Sequence, residues 1–359
     1  MIYREAGEFK STYSADQAIF TIRQDRWFMI AIFVIAFVVI PVTGTEYWLG
    51  AIMLPFLILA LAALGLNILT GYAGQLSLGT GGFMATGAFS AYKLATSFPD
   101  MHILVVILIA GLITAGVGIL FGIPSLRIKG FYLAVATLAS QFFLIWLFNK
   151  FGWFTNYSAS GVISAPPMTI IGDILITGPN ATILAKYLFT LSVVVFLALV
   201  AKNLVRSNIG REWMAIRDMD IAAEIIGIPM LKTKLKAFAV SSFFCGVSGA
   251  LWAFIYTGSV EPLAFDVDRS FQILFMIIIG GLGSITGAFL GSAFIILLPI
   301  FLKTAPGLIG LSLPTDLVSH LEFMVFGGLI IFFLIVEPHG LARLWHVMKE
   351  KLRLWPFPY

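Results

Sequence analysis

Residues 270 to 302 read SFQILFMIIIGGLGSITGAFLGSAFIILLPIFL, thirty-three consecutive positions without an Asp, Glu, Lys or Arg. The stretch is either one long membrane span or two short ones, parted at Gly280-Gly281-Leu282-Gly283-Ser284. The choice fixes the parity of the whole chain, and so the side of the membrane on which the C-terminal tail emerges.

The flanking loops decide between the two. Lys and Arg are retained on the cytoplasmic side of membrane proteins. Residues 1 to 26 carry four of them, the 127 to 129 turn two (Arg127 and Lys129), 202 to 236 seven, and the tail from 338 four. The connections 43 to 46, 97 to 102 and 151 to 182 carry none, and 257 to 269 and 303 to 320 one each. One span across 270 to 302 would throw the basic tail outside. Two spans keep both termini in the cytoplasm and predict ten transmembrane helices. The first half, Ser270 to Ile279, covers only about half of a ~30 Å hydrocarbon core at ~1.5 Å per residue. It reads as a tilted or re-entrant half-helix, with close helix packing through small residues as the alternative.

Composition agrees with a membrane bundle. The chain of 359 residues is 60% hydrophobic and 11% charged, whereas soluble domains carry roughly 25% charged residues. Nine charge-free stretches hold 187 residues, because a charge at the bilayer centre costs at least ~2.5 kcal/mol. Runs such as Ala31 to Val39 are apolar at every position, which excludes the alternation of a membrane β-barrel. The fold class expected is an all-α integral membrane protein. A cytoplasmic segment over 1–26 precedes a membrane domain over 27–337, and a basic tail occupies 338–359. The first 26 residues hold four acids and four bases, unlike a cleaved signal peptide, so the first span reads as an uncleaved anchor. The single cysteine, Cys245, lies within a span and reads as packing. The pI near 9.1 reflects loop bias. No basic cluster interleaved with aromatics points to nucleic acid.

A second glycine-rich stretch runs from Gly71 to Thr96, with Gln75, Ser77, Thr80, Thr86 and Ser90 among its glycines. Non-helical backbone at membrane depth is tolerated only where protein or a water-filled cavity satisfies it. Asn67, Gln75, Ser77, Thr80, Gly280, Gly281 and Gly283 are therefore the candidate lining of a translocation path, with helix packing through small residues as the bland alternative. The tetrapeptide Thr-Gly-Ala-Phe occurs at 86–89 and again at 286–289, which is compatible with an internal duplication or with coincidence.

The longest cytoplasmic loop, 204 to 236, contains GREWMAIRDMDIAAEIIG (210–227) followed by Pro229, the pattern of a helix stopped by Gly and Pro. On one continuous helix Arg217, Asp220 and Glu224 would share a face, and Met214, Ile221 and Ile225 another. Such a helix either docks into a partner's groove or lies on the lipid headgroups.

The Ala222-Ala223-x-x-x-Gly227 spacing resembles the cytoplasmic EAA loop of ABC importer permeases, with Ile221 standing where the general pattern has Glu. Leu64 to Gly79 (LGLNILTGYAGQLSLG), Gly130 to Leu138 (GFYLAVATL), Gly210 to Asp218 (GREWMAIRD) and Ile277 to Gly291 (IIIGGLGSITGAFLG) resemble the M-type permease subunit of branched-chain amino acid importers. The resemblance covers about residues 50 to 300. It implies a bacterial inner-membrane permease that works with a homologous second permease, two cytoplasmic ABC ATPase subunits and an extracytoplasmic solute-binding protein. It also implies that Arg211, Trp213, Arg217, Asp220, Ala222, Ala223, Glu224 and Gly227 form the ATPase-coupling element.

No Gly-x-x-x-x-Gly-Lys-Ser/Thr phosphate loop occurs, so ATP would be used by partner subunits and no cofactor is expected on this chain. No catalytic or metal constellation is expected, and an enzyme is not. An ion-coupled carrier normally keeps an Asp, Glu or His inside a span, whereas His102, His320, His339 and His346 all lie at edges or loops. A path without fixed charge suits branched-chain amino acids, with urea or short amides as the alternative.

Overall fold

The computed structural model describes residues 11–12, 23–125, 131–158, 160–170, 175–178, 180–308, 315–337 and 339–354. The Arg127–Lys129 turn and most of the 1–26 segment, both used for orientation, lie outside them. Apart from one two-stranded β-pair and an isolated bridge, the described elements are helical. Helix α1 (Arg23–Val34) continues through a π-helical turn, Ile35–Val39, to Thr43. α2 (Leu54–Asn67) is entered by one π-helical turn, Trp48–Met53, and left by another, Ile68–Tyr72. Then follow α3 (Thr80–Ser97), α4 (Ile103–Ser125), α5 (Phe131–Lys150) and α6 (Ile183–Arg206). The loop after α6 holds α7 (Asn208–Asp218) and α8 (Asp220–Ile225), after which α9 (Met230–Leu251) returns into the bundle. α10 (Val267–Gly280), α11 (Ile285–Leu308), α12 (Thr315–Val336) and α13 (Gly340–Leu354) complete the chain.

Among the described residues seven helices are long and apolar enough to cross a membrane, so the chain is an all-α integral membrane protein. Two of them, those built on α2 and α9, are buried along most of their length, whereas Arg26–Thr43 has no fully buried residue and touches the core only through half-buried side chains such as Phe37 and Ile40. α9 is the central post. It packs on α4, α3 and α2, while α10 and α11 lie against each other and against α2. Cys245 on α9 is 1% exposed, as the packing reading expects.

Small residues set the helix spacing. A Cβ on Gly87 of α3 would lie 2.0 Å from the Gly246 carbonyl oxygen of α9, and one on Gly249 would lie 1.9 Å from the Met84 carbonyl oxygen. No side chain fits there, so the two helices meet backbone to backbone, as in many membrane helix pairs. The second Thr-Gly-Ala-Phe repeats this use. A Cβ on Gly287 would lie 2.6 Å from the Gly280 carbonyl oxygen of the preceding helix.

At the far end from the α7–α8 loop, strands β1 (Ile163–Ser164) and β2 (Ser259–Val260) pair antiparallel, Ile163 opposite Val260. The loop after α5 is tied to α3 there. Asn156 Nδ2 donates to the Tyr92 hydroxyl at 2.8 Å, and the Lys93 ammonium stands 4.5 Å from the Trp153 ring centre. Trp153 and Tyr157 are exposed, whereas Phe154 packs edge-on against Phe148.

Two sequence expectations need correction. The half-helix before the glycines is longer than Ser270 to Ile279. It starts at Val267, where the Asp266 carboxylate accepts from the Val267 N–H at 2.6 Å and caps it, and its 14 residues rise about 21 Å. The 210–227 segment is two helices in place of one, broken at Met219, whose backbone is extended (φ −152°, ψ 97°). Asp218 and Asp220 flank the break. Aspartate is a poor interior helix residue, but Asp220 is favourable in the first turn of a new helix, and its side chain accepts from the Ile221 N–H at 2.9 Å. The break removes Arg217 from the stripe formed by Asp220 and Glu224.

Candidate functional site

The two helix breaks expected from the glycines lie against each other, and one arginine joins them to the α7–α8 loop. The first break follows α2: its π-helical turn ends at Tyr72, and residues 73 to 79 are non-helical until α3 begins. The second is the four-residue gap, 281 to 284, between α10 and α11. Asn67, fully buried, holds them together with both ends of its amide. Its Oδ1 accepts from the Gly283 N–H at 2.9 Å, and its Nδ2 donates to the Ser284 carbonyl at 2.7 Å. A planar amide that meets a peptide N–H and a neighbouring C=O together fixes both groups that the break leaves unpaired.

Contact across the junction is too close for side chains. A Cβ on Gly71 would lie 2.2 Å from the Gly283 nitrogen. Into this junction reaches Arg217, the penultimate residue of α7. Its Nη1 donates to the Gly71 carbonyl at 2.9 Å, its Nε pairs with Asp218 at 2.8 Å, and its Cγ would meet a Cβ on Gly74 at 3.0 Å. Gly74 itself has φ +68°, a conformation that glycine adopts without strain. From another side the tail closes on the same point, since a Cβ on Gly340 at the head of α13 would lie 2.6 Å from the Gly281 nitrogen.

From this junction the extended segment climbs alongside α10. Leu78 N–H donates to Thr137 Oγ1 at 2.9 Å and Gly81 N–H to Ser270 Oγ at 2.8 Å. Gly82 N–H donates to Gln141 Oε1, whose Nε2 donates to the Phe265 carbonyl at 2.7 Å. Ser270 stands ten residues before Gly280, so the segment traverses about 15 Å of depth. The first turn of α3 is thus braced by side chains from α5 and α10, and its N–H groups at 81 and 82 are already satisfied. Gln141, Ser270 and Thr137 were not anticipated as site residues. The signal for Gln141 was present: it is the one amide in the interior of the charge-free 130–149 stretch, Asn149 standing at its end, and a buried amide requires partners.

Two predicted path residues stand apart from this satisfied network. Gln75 is 3% exposed, yet neither its Oε1 nor its Nε2 has a hydrogen-bond partner among the described residues; the same holds for Oγ1 of Thr80. Ser77, also buried, accepts among the described residues only from the Gly79 N–H, at 3.4 Å.

Residues 48–334 match the family described as "Branched-chain amino acid transport system / permease component". The chain belongs to this family of permeases. It is 30% identical over 306 residues to the high-affinity branched-chain amino acid transport system permease protein LivM of Escherichia coli, a match covering 79% of this chain and 68% of that protein. The protein of the same name from Salmonella typhimurium is 29% identical with the same coverage. The probable branched-chain amino acid transport permease protein LivM of Methanocaldococcus jannaschii is 25% identical over 73% of this chain and 74% of its own. No solved structure matches.

Within this permease, the residues expected to couple to ATPases divide into an inner and an outer set. Trp213 is fully buried, and its indole N–H donates to the Thr233 carbonyl of α9 at 3.1 Å. Ala223 is buried as well. Glu212 accepts from Thr233 Oγ1 at 3.3 Å and lies 3.8 Å from the Lys236 ammonium. These contacts pin the helix pair to the base of the central post. Arg211, Ala222, Glu224 and Gly227 are exposed, and Asp220 is half-buried. Gly227 ends α8 at φ +90°, with Ile228 N–H donating to the Ala223 carbonyl and Gly227 N–H to that of Glu224, the two-bond glycine stop that its position suggested. The tip bears four large apolar side chains in the open: Met219, Ile221, Ile225 and Ile226 are 71%, 71%, 80% and 74% exposed.

Proposed function

We propose that this chain is one of two permease subunits in a binding-protein-dependent ABC importer of the bacterial inner membrane, and that it passes branched-chain amino acids. Ten spans with both termini in the cytoplasm account for the loop charges. The seven long apolar helices make up seven of them, with α3, α10 and α12 as the shorter or more polar crossings. Two ATPase subunits bind from the cytoplasm, one of them covering the apolar tip of α8. The observation that carries this reading is Arg217: it stands on a cytoplasmic helix pair with an uncovered apolar tip, and it reaches the carbonyl of Gly71 where both membrane helix breaks meet. Movement imposed on the tip thereby reaches the path directly.

In this mechanism ATP is hydrolysed on the partner subunits, and this chain contributes no cofactor site. The conformational change biases the junction of Asn67, Gly71 and Gly283. The unpartnered amide of Gln75 and hydroxyl of Thr80 then become the polar groups that meet the solute as the path opens, because a buried polar group without a partner is worth ~1–3 kcal/mol to whatever satisfies it. Substrate class follows the names of the relatives. The apolar body of leucine, isoleucine or valine suits a lining without fixed charge.

The test is reconstitution in proteoliposomes with a second permease, the ATPases and the binding protein of the same importer. ATP-dependent uptake of labelled leucine, isoleucine and valine is expected. Uptake of urea or short amides alone would replace the substrate, and uptake driven by an ion gradient without ATP would overturn the importer reading.

A further inference from the structure

One cation stands near the mouth of the path without a carboxylate. Arg269, the third residue of α10, lies over the indole of Trp252, its guanidinium carbon 4.3 Å from the ring centre. Its Nη1 donates to Gln272 Oε1 at 2.7 Å and its Nε to the Ala264 carbonyl at 3.4 Å, both neutral acceptors. No Asp or Glu among the described residues pairs with it. The guanidinium has five N–H donors in a planar fork, so most of the fork is unused. The ring beneath it is equally incomplete, since Trp252 is 6% exposed and its indole N–H has no partner among the described residues. Tyr256 leans against the same indole at a tilt of 50°, with ring centres 4.5 Å apart, and is 38% exposed. The cluster is therefore half-buried, apolar-walled and reachable.

Its place in the fold matters as much as its chemistry. Arg269 is the chain neighbour of Ser270, which binds the Gly81 N–H at the head of α3, next to the unpartnered hydroxyl of Thr80. Asp266 and Asp268 lie close in the chain, but neither is in ion-pair contact with the guanidinium, and a cation at a membrane edge, half withdrawn from water and without a direct ion pair, is expensive to keep. The planar fork on an aromatic face is the arrangement best suited to grip a planar oxyanion through two parallel hydrogen bonds.

We propose that Arg269, stacked on Trp252, is the point at which the permease recognises the α-carboxylate of its solute, before the solute reaches the extended 73–79 segment. This rests on the proposed function for the identity of the solute, and adds that the carboxylate is read by the permease as well as by the binding protein. The neutral path then carries the apolar part of the zwitterion, while the Arg269 guanidinium selects its acid end.

The experiment uses the assembled permease–ATPase complex in vesicles. Wild type, Arg269→Gln and Arg269→Lys are compared for ATP-driven uptake at saturating loaded binding protein. Modification of Arg269 by phenylglyoxal is followed in wild type by peptide mass spectrometry, with leucine, leucinamide or neither present, in vesicles with and without anionic lipid. Expected are a fall in uptake of about 10- to 100-fold for Arg269→Gln, the factor associated with hydrogen bonds to a charged group, and a smaller fall for Arg269→Lys. Leucine should protect Arg269 and leucinamide should not, whatever the lipid. Protection that follows anionic lipid would assign the guanidinium to a lipid phosphate and overturn the proposal, as would equal protection by leucinamide or uptake by Arg269→Gln at the wild-type rate. If wild type itself moves urea or amides but no amino acid, the proposed function has failed, and the inference falls with it at a step visible before any variant is compared.

Discussion

Replacing Arg217 by Gln should uncouple ATP hydrolysis from transport. The side chain makes one hydrogen bond from a charged donor to the Gly71 carbonyl, a class of interaction worth about 1.5–3 kcal/mol. Because the side chain is 36% exposed, solvent screening reduces this to about 1–2 kcal/mol. At 1.36 kcal/mol per factor of ten, that corresponds to a loss of roughly 5- to 30-fold in the bias that the cytoplasmic helix pair exerts on the two breaks. The variant should insert and assemble normally, since Trp213, Glu212 and Thr233 still pin the helix pair to α9. The assay is the ratio of solute moved to ATP hydrolysed in proteoliposomes. Uptake should fall by that factor while basal ATPase activity and co-purification of the ATPase subunits stay at wild-type levels. Arg217→Lys, which keeps a cation that can donate to one carbonyl, should recover part of the loss. A ratio within twofold of wild type for Arg217→Gln would refute the reasoning, and so would a parallel loss of ATPase activity and assembly.

Two glycines should respond in opposite ways to alanine. Gly71→Ala places a Cβ about 2 Å from groups that cannot retreat, the Gly283 nitrogen and Asn67 Oδ1, and should abolish stable expression, read by fluorescence-detected size exclusion. Gly227→Ala meets nothing within 4 Å, so its cost is only the left-handed backbone, about 1–2 kcal/mol, and the protein should accumulate normally. Asn67→Asp keeps the acceptor for Gly283 but turns the donor to Ser284 into a second oxygen facing a carbonyl. It should lower the melting temperature in detergent, and an unchanged melting curve would contradict the assigned bonds. Ser158→Cys should react with an impermeant maleimide in intact cells and Asp218→Cys only after permeabilisation, against a low background because Cys245 is buried.

The membrane class, the break at 281–284, the glycine stop at 227 and the non-helical run after Gly71 were all legible in the sequence. Each depends on local composition, either the absence of charge over a span or a glycine at a fixed place. The break at Met219 was not legible as such, because the apolar and charged periodicity of 210–227 continues through it and only the flanking aspartates hint at the interruption. The pairing of Asn67 with Gly283 and Ser284 joins residues more than two hundred positions apart, and spacing alone carries no trace of it. Trp213 was assigned by resemblance to the coupling element, and the structure places its indole inside, packed on α9 with its N–H on the Thr233 carbonyl, a long-range contact that the local sequence does not announce. Arg269 was visible only as the one basic residue of the outer loop 257–269, which also holds Glu261, Asp266 and Asp268.

The magnitudes also indicate where the driving force enters. Shifting a two-state equilibrium from 1:99 to 99:1 requires about 5.5 kcal/mol of differential binding. The Arg217 contact supplies about 1–2 kcal/mol of that, so it transmits a bias and does not create one. The exposed tip is large enough to create it. Met219, Ile221, Ile225 and Ile226 are each more than 70% exposed, and fully burying side chains of this kind contributes about 1.5–3 kcal/mol apiece. Three or four of them, covered in one state of an ATPase pair and uncovered in the other, reach the required energy even after ordering losses. Ile225→Glu should therefore weaken ATPase binding outright, whereas Arg217→Gln leaves binding intact and breaks the link behind it. A pull-down that ranks the two variants in the reverse order would show that the tip is not the docking surface and that the arginine is.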